Sequence, residues 1–206
     1  MIKRILFFAL ILSAPLGSNA AVIDFEGVVP DNSSMIQVSP YSEDGFILNS
    51  SRVPEPVDGI FGANAVNSNG SAVFGWCLRC GIGNMISVAM SNAKNFNLLS
   101  FDFSNLDLTP AMGIIEVTGY LSSGGSVTAS VDTSNAWVTE SLNWTGLTKV
   151  DFFGRVGADS MNFNPALDNL VVQAQEPAQV PTPAPLALLG LGLVALALTR
   201  RRNIVS

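Results

Sequence analysis

Residues 21–179 alternate short apolar runs with clusters of Gly, Asn, Ser and Asp, and no stretch there shows ten or more residues with helical periodicity. Such runs, alternating with period two, are typical of half-buried β-strands. In the segment LLSFDF, Leu99, Phe101 and Phe103 share one face, and the intervening polar residues share the other. The pattern predicts nine strands, over residues 21–26, 45–48, 72–76, 85–90, 98–103, 113–121, 126–131, 149–154 and 167–173.

This strand pattern predicts an all-β fold, a single antiparallel β-sandwich of jelly-roll type. Gly124-Gly125 lies between two predicted strands and predicts a hairpin turn, because tandem glycines accept positive φ. We expect the chain to divide into a signal peptide (1–20), the β-sandwich domain (21–176), a proline-rich hinge (177–185), a transmembrane segment (186–199) and a basic cytoplasmic tail (200–206).

The N-terminus has the three parts of a secretory signal peptide. Lys3 and Arg4 form a basic start, an apolar stretch of residues 5–12 follows, and Ser18-Asn19-Ala20 is a small-residue end. Cleavage is predicted after Ala20, and the apolar stretch is too short to span a membrane. The chain is therefore expected to be exported across the inner membrane.

The C-terminus also has three parts in a fixed order: an extended proline-rich segment, an uncharged apolar run and a basic cluster. The apolar helix from Ala184 to Thr199 would be about 24 Å long, shorter than the ~30 Å hydrocarbon core of a bilayer. Such a short span suits a transient anchor, and the basic cluster is expected to stay in the cytoplasm. The residues that carry this pattern are Val180, Pro181, Thr182, Pro183, Arg200, Arg201 and Arg202.

This tail resembles the PEP-CTERM sorting signal of biofilm-forming bacteria. The resemblance covers roughly the last 27 residues and departs from the usual Val-Pro-Glu-Pro at Thr182. It implies recognition by a membrane protease of the exosortase type, a transient stay in the inner membrane, and delivery to the cell surface or the extracellular matrix. The alternative is a plain C-terminal membrane anchor. An earlier Val53-Pro54-Glu55-Pro56 has no apolar run after it and is interpreted as a loop.

Charge and composition exclude several functions. All 16 acidic residues but only five basic ones lie within residues 21–179, so this segment has a formal charge of −11. Such an acidic surface argues against nucleic acid as a partner. The chain has no histidine, which excludes Ser-His-Asp and Cys-His catalysis and imidazole-bound zinc. The pair Cys77 and Cys80 is interpreted as a small disulfide in an oxidising compartment, with a redox pair as the alternative.

Paired carboxylates would be required for a glycoside-active enzyme. Asp102, Glu116, Glu140 and Asp151 are the candidates, on separate predicted strands, and nothing in the sequence singles out two of them. Alternating acids are also typical of a solvated sheet face. The sequence therefore predicts a protein that is not an enzyme.

Two short motifs carry a second resemblance. Asp24-Phe25-Glu26-Gly27 near the start and residues 166–172 (ALDNLVV) at the end resemble the first and last strands of carbohydrate-binding jelly rolls. In those modules such carboxylates often ligate a structural calcium, which implies Glu26 and Asp168, with Asp24, as calcium ligands here. From the residues alone, Asp168 shares a strand face with aliphatic side chains, which favours either a cation or hydrogen-bond donors beside it. The alternative is a carboxylate at an exposed rim that caps a turn.

Sugar-binding proteins often stack pyranose rings on aromatic side chains, and Trp76, Trp137, Trp144 and Tyr120 are candidate amphipathic rings of this domain. Trp137 has small, polar neighbours, which makes it the candidate ligand-binding residue. The sequence thus predicts an exported surface or matrix protein associated with exopolysaccharide. A lectin-like binding module, a glycoside-active enzyme and a plain membrane-anchored protein are the alternatives.

Overall fold

A computed structural model describes residues 19–29, 35–51, 58–65, 67–76, 85–106, 113–156, 163–175 and 190 of the chain. The chain divides into two compact units, Met1–Gln175 and Glu176–Ser206. All strands of the described residues lie in the first unit, and Gly190, the one described residue of the second, is helical. No helix within the described ranges is long and apolar enough to cross a membrane.

Most of the predicted terminal segments lie outside the described residues. Of the signal peptide, only Asn19 and Ala20 are described, and of the hinge, transmembrane segment and basic tail, only Gly190. Cys77 and Cys80 also lie outside the described residues. The predictions for these segments therefore stay predictions.

Twelve strands form in the described part of the chain, and the predicted all-β antiparallel β-sandwich is confirmed. The strands are β1 (Ala21–Ile23), β2 (Met35–Ile36), β3 (Tyr41–Glu43), β4 (Phe46–Ser50), β5 (Gly59–Phe61), β6 (Val73–Gly75), β7 (Met85–Met90), β8 (Phe96–Asn105), β9 (Gly113–Leu121), β10 (Ser126–Thr133), β11 (Val138–Val156) and β12 (Pro165–Ala174). All strand pairs are antiparallel, and Gly124 and Gly125 turn between β9 and β10 with φ of 91° and 81°.

The long strand β11 belongs to both layers of the sandwich. Its first half, Val138 to Leu147, pairs with β8, and its second half pairs with β9 on one edge and β7 on the other. Register shifts between Ser141 and Leu147 separate the halves, where Asn143 and Gly146 have positive φ. Bulges of this kind bend a strand. The first layer is β2, β5, β6, β1, β12, β8 and the first half of β11, and the second layer is β3, β4, β7, the second half of β11, β9 and β10.

The inner sides of both layers contribute to one hydrophobic core. Phe101 of the first layer packs edge-on against Phe152 of the second, with ring centroids 5.1 Å apart, and Phe46 packs against Phe96 in the same way at 5.3 Å. Close contacts between aromatic rings of different layers hold the layers face to face.

One residue of β8 that was predicted to face the core does not, and its neighbour in the sequence takes that place. Phe101 and Phe103 are buried as expected, but Leu98 rather than Leu99 lies in the core. Leu98 is opposite Val172 and Ser100 is opposite Val171, so β8 has one extra residue at Leu99. A bulge of one residue reverses the alternation of side chains that follow it, and this explains the difference.

Candidate functional site

Asp168 of β12 is fully buried on the outer side of the first layer, not at an exposed rim. The loop between β5 and β6 covers it: Asn69 Nδ2 and Ser71 Oγ donate to Asp168 Oδ2 at 2.7 and 2.6 Å. The backbone N–H of Asn169 donates to Oδ1 at 2.8 Å. Burial raises the pKa of Asp168, and these hydrogen bonds oppose that rise. Hydrogen bonds therefore satisfy this buried carboxylate.

Glu26 and Asp24, the other predicted calcium ligands, follow β1. Glu26 Oε1 accepts a hydrogen bond from the backbone N–H of Ala72 at 2.9 Å, and Asp24 Oδ1 accepts one from the N–H of Glu26 at 3.1 Å. The first and last strands pair directly, with Ile23 opposite Leu170. Glu26 and Asp168 thus bind neighbouring residues of the same β5–β6 loop.

The groups around Asp168 fit hydrogen bonding better than direct coordination of an ion. Asn69 presents its N–H to Asp168 because its own Oδ1 already accepts from the backbone N–H of Ser71. Calcium instead requires oxygen lone pairs directed at the ion. Within the described ranges, no three His, Cys, Asp or Glu residues form a group that could hold a metal ion. The calcium site stays a prediction.

Asp102 lies directly opposite Asp168 across β8 and β12. Asn169, at φ 48°, occupies a bulge in β12 and donates its side-chain N–H to Asp102 Oδ2 at 2.8 Å and to Asp168 Oδ2 at 3.3 Å. Thr139 Oγ1 also donates to Asp102. An amide between two carboxylates reduces their mutual repulsion, so this pair is held by structural hydrogen bonds.

Trp137, the predicted ligand-binding residue, is half-buried. Its Nε1–H donates to the carbonyl of Asn67 at 2.8 Å, and its ring packs against a small hydrophobic cluster of Val73, Leu106 and Ala166. The Asn67 side chain in turn donates to the carbonyl of Asn135 at 2.9 Å. These contacts hold the β5–β6 loop against the first layer, so part of the Trp137 ring is used for packing.

Three of the four carboxylates considered for glycoside cleavage are paired with other groups. Asp102 accepts from Thr139 and Asn169, Glu116 forms an ion pair with Arg155 at 3.4 Å, and Asp151 forms one with Lys149 at 2.8 Å. Glu140 lies on β11 opposite Phe101. These contacts single out no two of the four as a general acid and its partner.

The outer side of the second layer carries a surface that sequence reasoning did not identify. We call it the Tyr120 face and define it by outward side chains of β9, β11 and β7: Glu116, Thr118, Tyr120, Lys149, Asp151, Arg155 and Ser87. Tyr120 is 37% exposed, the highest value among the aromatic side chains of the described residues. The two-residue spacing of Lys149 and Asp151 indicates a shared strand face, but the sequence does not show that Tyr120 lies beside them.

Lys149 and Asp151 hold the Tyr120 ring in one orientation. Lys149 Nζ lies over the ring, 4.4 Å from its centroid, and 2.8 Å from Asp151 Oδ2. Ser87 Oγ donates to Asp151 Oδ1 at 2.6 Å from the neighbouring strand. Hydrogen bonding to Asp151 raises the pKa of Tyr120. The face therefore offers an oriented aromatic ring beside charged and hydroxyl groups.

Comparison with known proteins finds similarity in fold only. No family model matches the chain, and no curated protein matches it. Similar solved structures include TmCBM61 in complex with β-1,4-galactotriose (TM-score 0.44, 10% identity, covering 64% of this chain and 90% of that one). A family 29 carbohydrate-binding module is also similar, with a TM-score of 0.42 and 12% identity, covering 76% of this chain and 88% of that one. So is a GH29 fucosidase of Ruminococcus gnavus, with a TM-score of 0.43 and 12% identity, covering 64% of this chain and 26% of that one. At these scores and identities the similarity does not indicate a ligand or an activity for this chain.

Proposed function

We propose that this chain is an exported, non-catalytic carbohydrate-binding protein that holds exopolysaccharide at the cell surface or in the extracellular matrix. The Tyr120 face is its binding surface. The observation that carries the proposal is the exposed Tyr120 ring, oriented by Lys149 and flanked by Asp151 and Ser87.

A sugar ring has an apolar C–H side and a rim of hydroxyl groups, and the Tyr120 face matches both. The ring of Tyr120 can pack against the C–H side, and the exposed ammonium group of Lys149 can donate to hydroxyl groups. Asp151 is buried and, with Ser87, holds Lys149 in place beneath the surface. Because these polar groups already bind one another, they are held in place before a ligand arrives, which lowers the entropy lost on binding. The formal charge of −11 over residues 21–179 favours neutral polysaccharides over anionic ones.

The proposal includes the two terminal signals. The signal peptide directs export, and the segment from Val180 to Arg202 acts as a sorting signal that a protease of the exosortase type removes. The alternative at this end is a permanent anchor, in which the mature protein keeps its arginine cluster.

Binding is tested by depletion of the mature protein, recovered from the producing cells, onto a panel of insoluble neutral polysaccharides. Tyr120→Ala removes the ring, and we expect about tenfold weaker binding, equivalent to about 1.4 kcal/mol. Tyr120→Phe keeps the ring and is expected to lose less. Val138→Ala is the matched control, because Val138 is an exposed apolar residue, 44% accessible, outside the Tyr120 face. Binding that Tyr120→Ala leaves unchanged, or no binding to any polysaccharide, would refute the assignment.

A further inference from the structure

Strand β10 forms a long open edge of the second layer. It pairs with β9 over all eight residues, Ser126 to Thr133, without a register shift, and with no other strand of the described residues. Leu121 N donates to Gly125 O at 3.1 Å, so these two opposite residues form a hydrogen-bonded pair. Because hydrogen-bonded and non-hydrogen-bonded pairs alternate along an antiparallel ladder, this bond decides which residues of β10 bond to β9. Residues 127, 129 and 131 then turn their backbone groups toward β9, and residues 126, 128, 130 and 132 turn theirs outward.

The other sheet edges in the described ranges are short or irregular. β1, β2 and β3 have two or three residues each, and the free side of the first half of β11 is interrupted by two register shifts. Short edges and bulges prevent pairing with other chains. β10 has the sequence SVTASVDT, with no Lys, Arg or Pro, which also protect edges. Its one charge is Asp132.

We propose that two copies of this chain pair antiparallel through their β10 strands, around a two-fold axis at Ala129. This pairing places Val127 opposite Val131, Thr128 opposite Ser130 and Ser126 opposite Asp132 of the second copy. No two like charges face each other, and the residues that direct their backbone groups outward meet one another as hydrogen-bonded pairs.

The inward side chains of β10 favour a second copy of this chain as the pairing partner. Val127 and Ala129 point toward the core but remain only half-buried, because β10 is the last strand of its layer. In the proposed dimer, Val127 would pack against Val131 of the second copy, and the two Ala129 side chains would meet. An isologous interface requires such self-complementarity.

The dimer would make one continuous sheet from the two second layers. A two-fold axis perpendicular to a sheet keeps the same side of both copies facing the same way. The two Tyr120 faces would therefore lie side by side and could bind one polysaccharide at two places, which strengthens attachment through effective concentration. This last consequence rests on the proposed function, whereas the dimer itself does not.

Lysines introduced on the open edge of β10 test the dimer, because like charges would face each other across the two-fold axis. The mature protein from the producing cells should sediment with twice the mass of one chain. The double variant Thr128→Lys and Ser130→Lys places lysines opposite each other across the two-fold axis and should sediment as a monomer, with an unchanged circular dichroism spectrum. Its matched control, Ser122→Lys and Ser123→Lys in the β9–β10 turn, adds the same charge away from the edge and should remain dimeric. A monomeric wild type, or a dimer that the lysines at residues 128 and 130 leave intact, would overturn the proposal.

A disulfide between the two copies at residue 129 tests the register of the proposed β10–β10 pairing. In a non-hydrogen-bonded antiparallel pair the Cα atoms are about 4.5 Å apart, within the range that a disulfide spans. Ala129→Cys should therefore form a covalent dimer under mild oxidation, and the control Val138→Cys should not. A wild-type dimer that Ala129→Cys fails to crosslink would rule out pairing about Ala129. Polysaccharide binding is measured separately, so loss of binding in an intact dimer contradicts the proposed function and not the dimer.

Discussion

Asn69 donates its side-chain N–H to the buried carboxylate of Asp168 at 2.7 Å, although the two residues lie 99 positions apart in the sequence. Together with Ser71, this contact fastens the β5–β6 loop to the last strand. Glu26 holds the same loop at Ala72. A carboxylate on the last strand and one from the segment that follows the first strand thus stabilise the same covering loop.

The variant Asp168→Asn should destabilise the protein. An amide has one acceptor oxygen in place of two, so donors from Asn69, Ser71 or Asn169 lose their partner in a buried place. The expected loss in the free energy of unfolding is about 1–3 kcal/mol, which lowers the melting temperature by several degrees. Thermal unfolding measures this, with Asp44→Asn as the matched control, because Asp44 is exposed and has a φ of 48° that asparagine tolerates. Equal melting temperatures for the two variants would contradict the role of Asp168.

The stability difference between wild type and Asp168→Asn should grow as the pH falls. Burial raises the pKa of Asp168 in the folded protein, so the folded state binds this proton more tightly than the unfolded state. Acidification from neutral pH through the folded pKa therefore stabilises the wild type relative to the variant. Urea unfolding of both proteins at several pH values between about 7 and 4 measures the difference. A difference that shrinks instead would mean that the folded protein favours the charged carboxylate, as a bound cation would.

The predicted calcium site is tested by melting in millimolar calcium and then in excess chelator. If Glu26 and Asp168, with Asp24, bind the ion, calcium at a hundredfold above Kd should stabilise the fold by about 2.7 kcal/mol. That corresponds to a rise in melting temperature on the order of 5–10 °C, which Asp168→Asn should abolish. If the wild type melts at the same temperature in both conditions, the hydrogen bonds from Asn69, Ser71 and Ala72 suffice.

Intact-mass measurement of the protein recovered from its producing cells tests both terminal predictions. The mature chain should begin at Ala21 and lack the cluster Arg200–Arg202, because export and sorting each remove one end. Replacement of the three arginines by alanine should impair retention and processing. Extracellular material that still carries the arginine cluster as its main form would contradict the sorting signal.

Much of the fold follows from local sequence. Period-two alternation predicted strands at residues 85–90 and 113–121 with the bounds that the structure has, and the tandem glycines predicted the β9–β10 hairpin. These features depend on side-chain alternation and backbone freedom within a few residues. The strands β2, β3 and β5 were missed because two or three residues are too few to show a period. The equally short β1 and β6 were predicted only as parts of longer apolar runs, at residues 21–26 and 72–76. The first half of β11 was missed because its alternation is interrupted by bulges.

The sequence by itself determined the all-β class, the acidic charge and the exclusion of histidine chemistry, because each is a property of composition or of neighbouring residues. It also pointed to Asp168 as a carboxylate in need of partners, but the expected face was wrong: the bulge at Asn169 places Asp168 on the outer side of β12, whereas Leu170 and Val172 lie in the core. Only the tertiary structure decided that those partners are Asn69 and Ser71, and that Tyr120 lies beside Lys149 and Asp151. Both depend on which distant segments lie side by side. Packing of the whole chain selects those neighbours, and no local pattern encodes them.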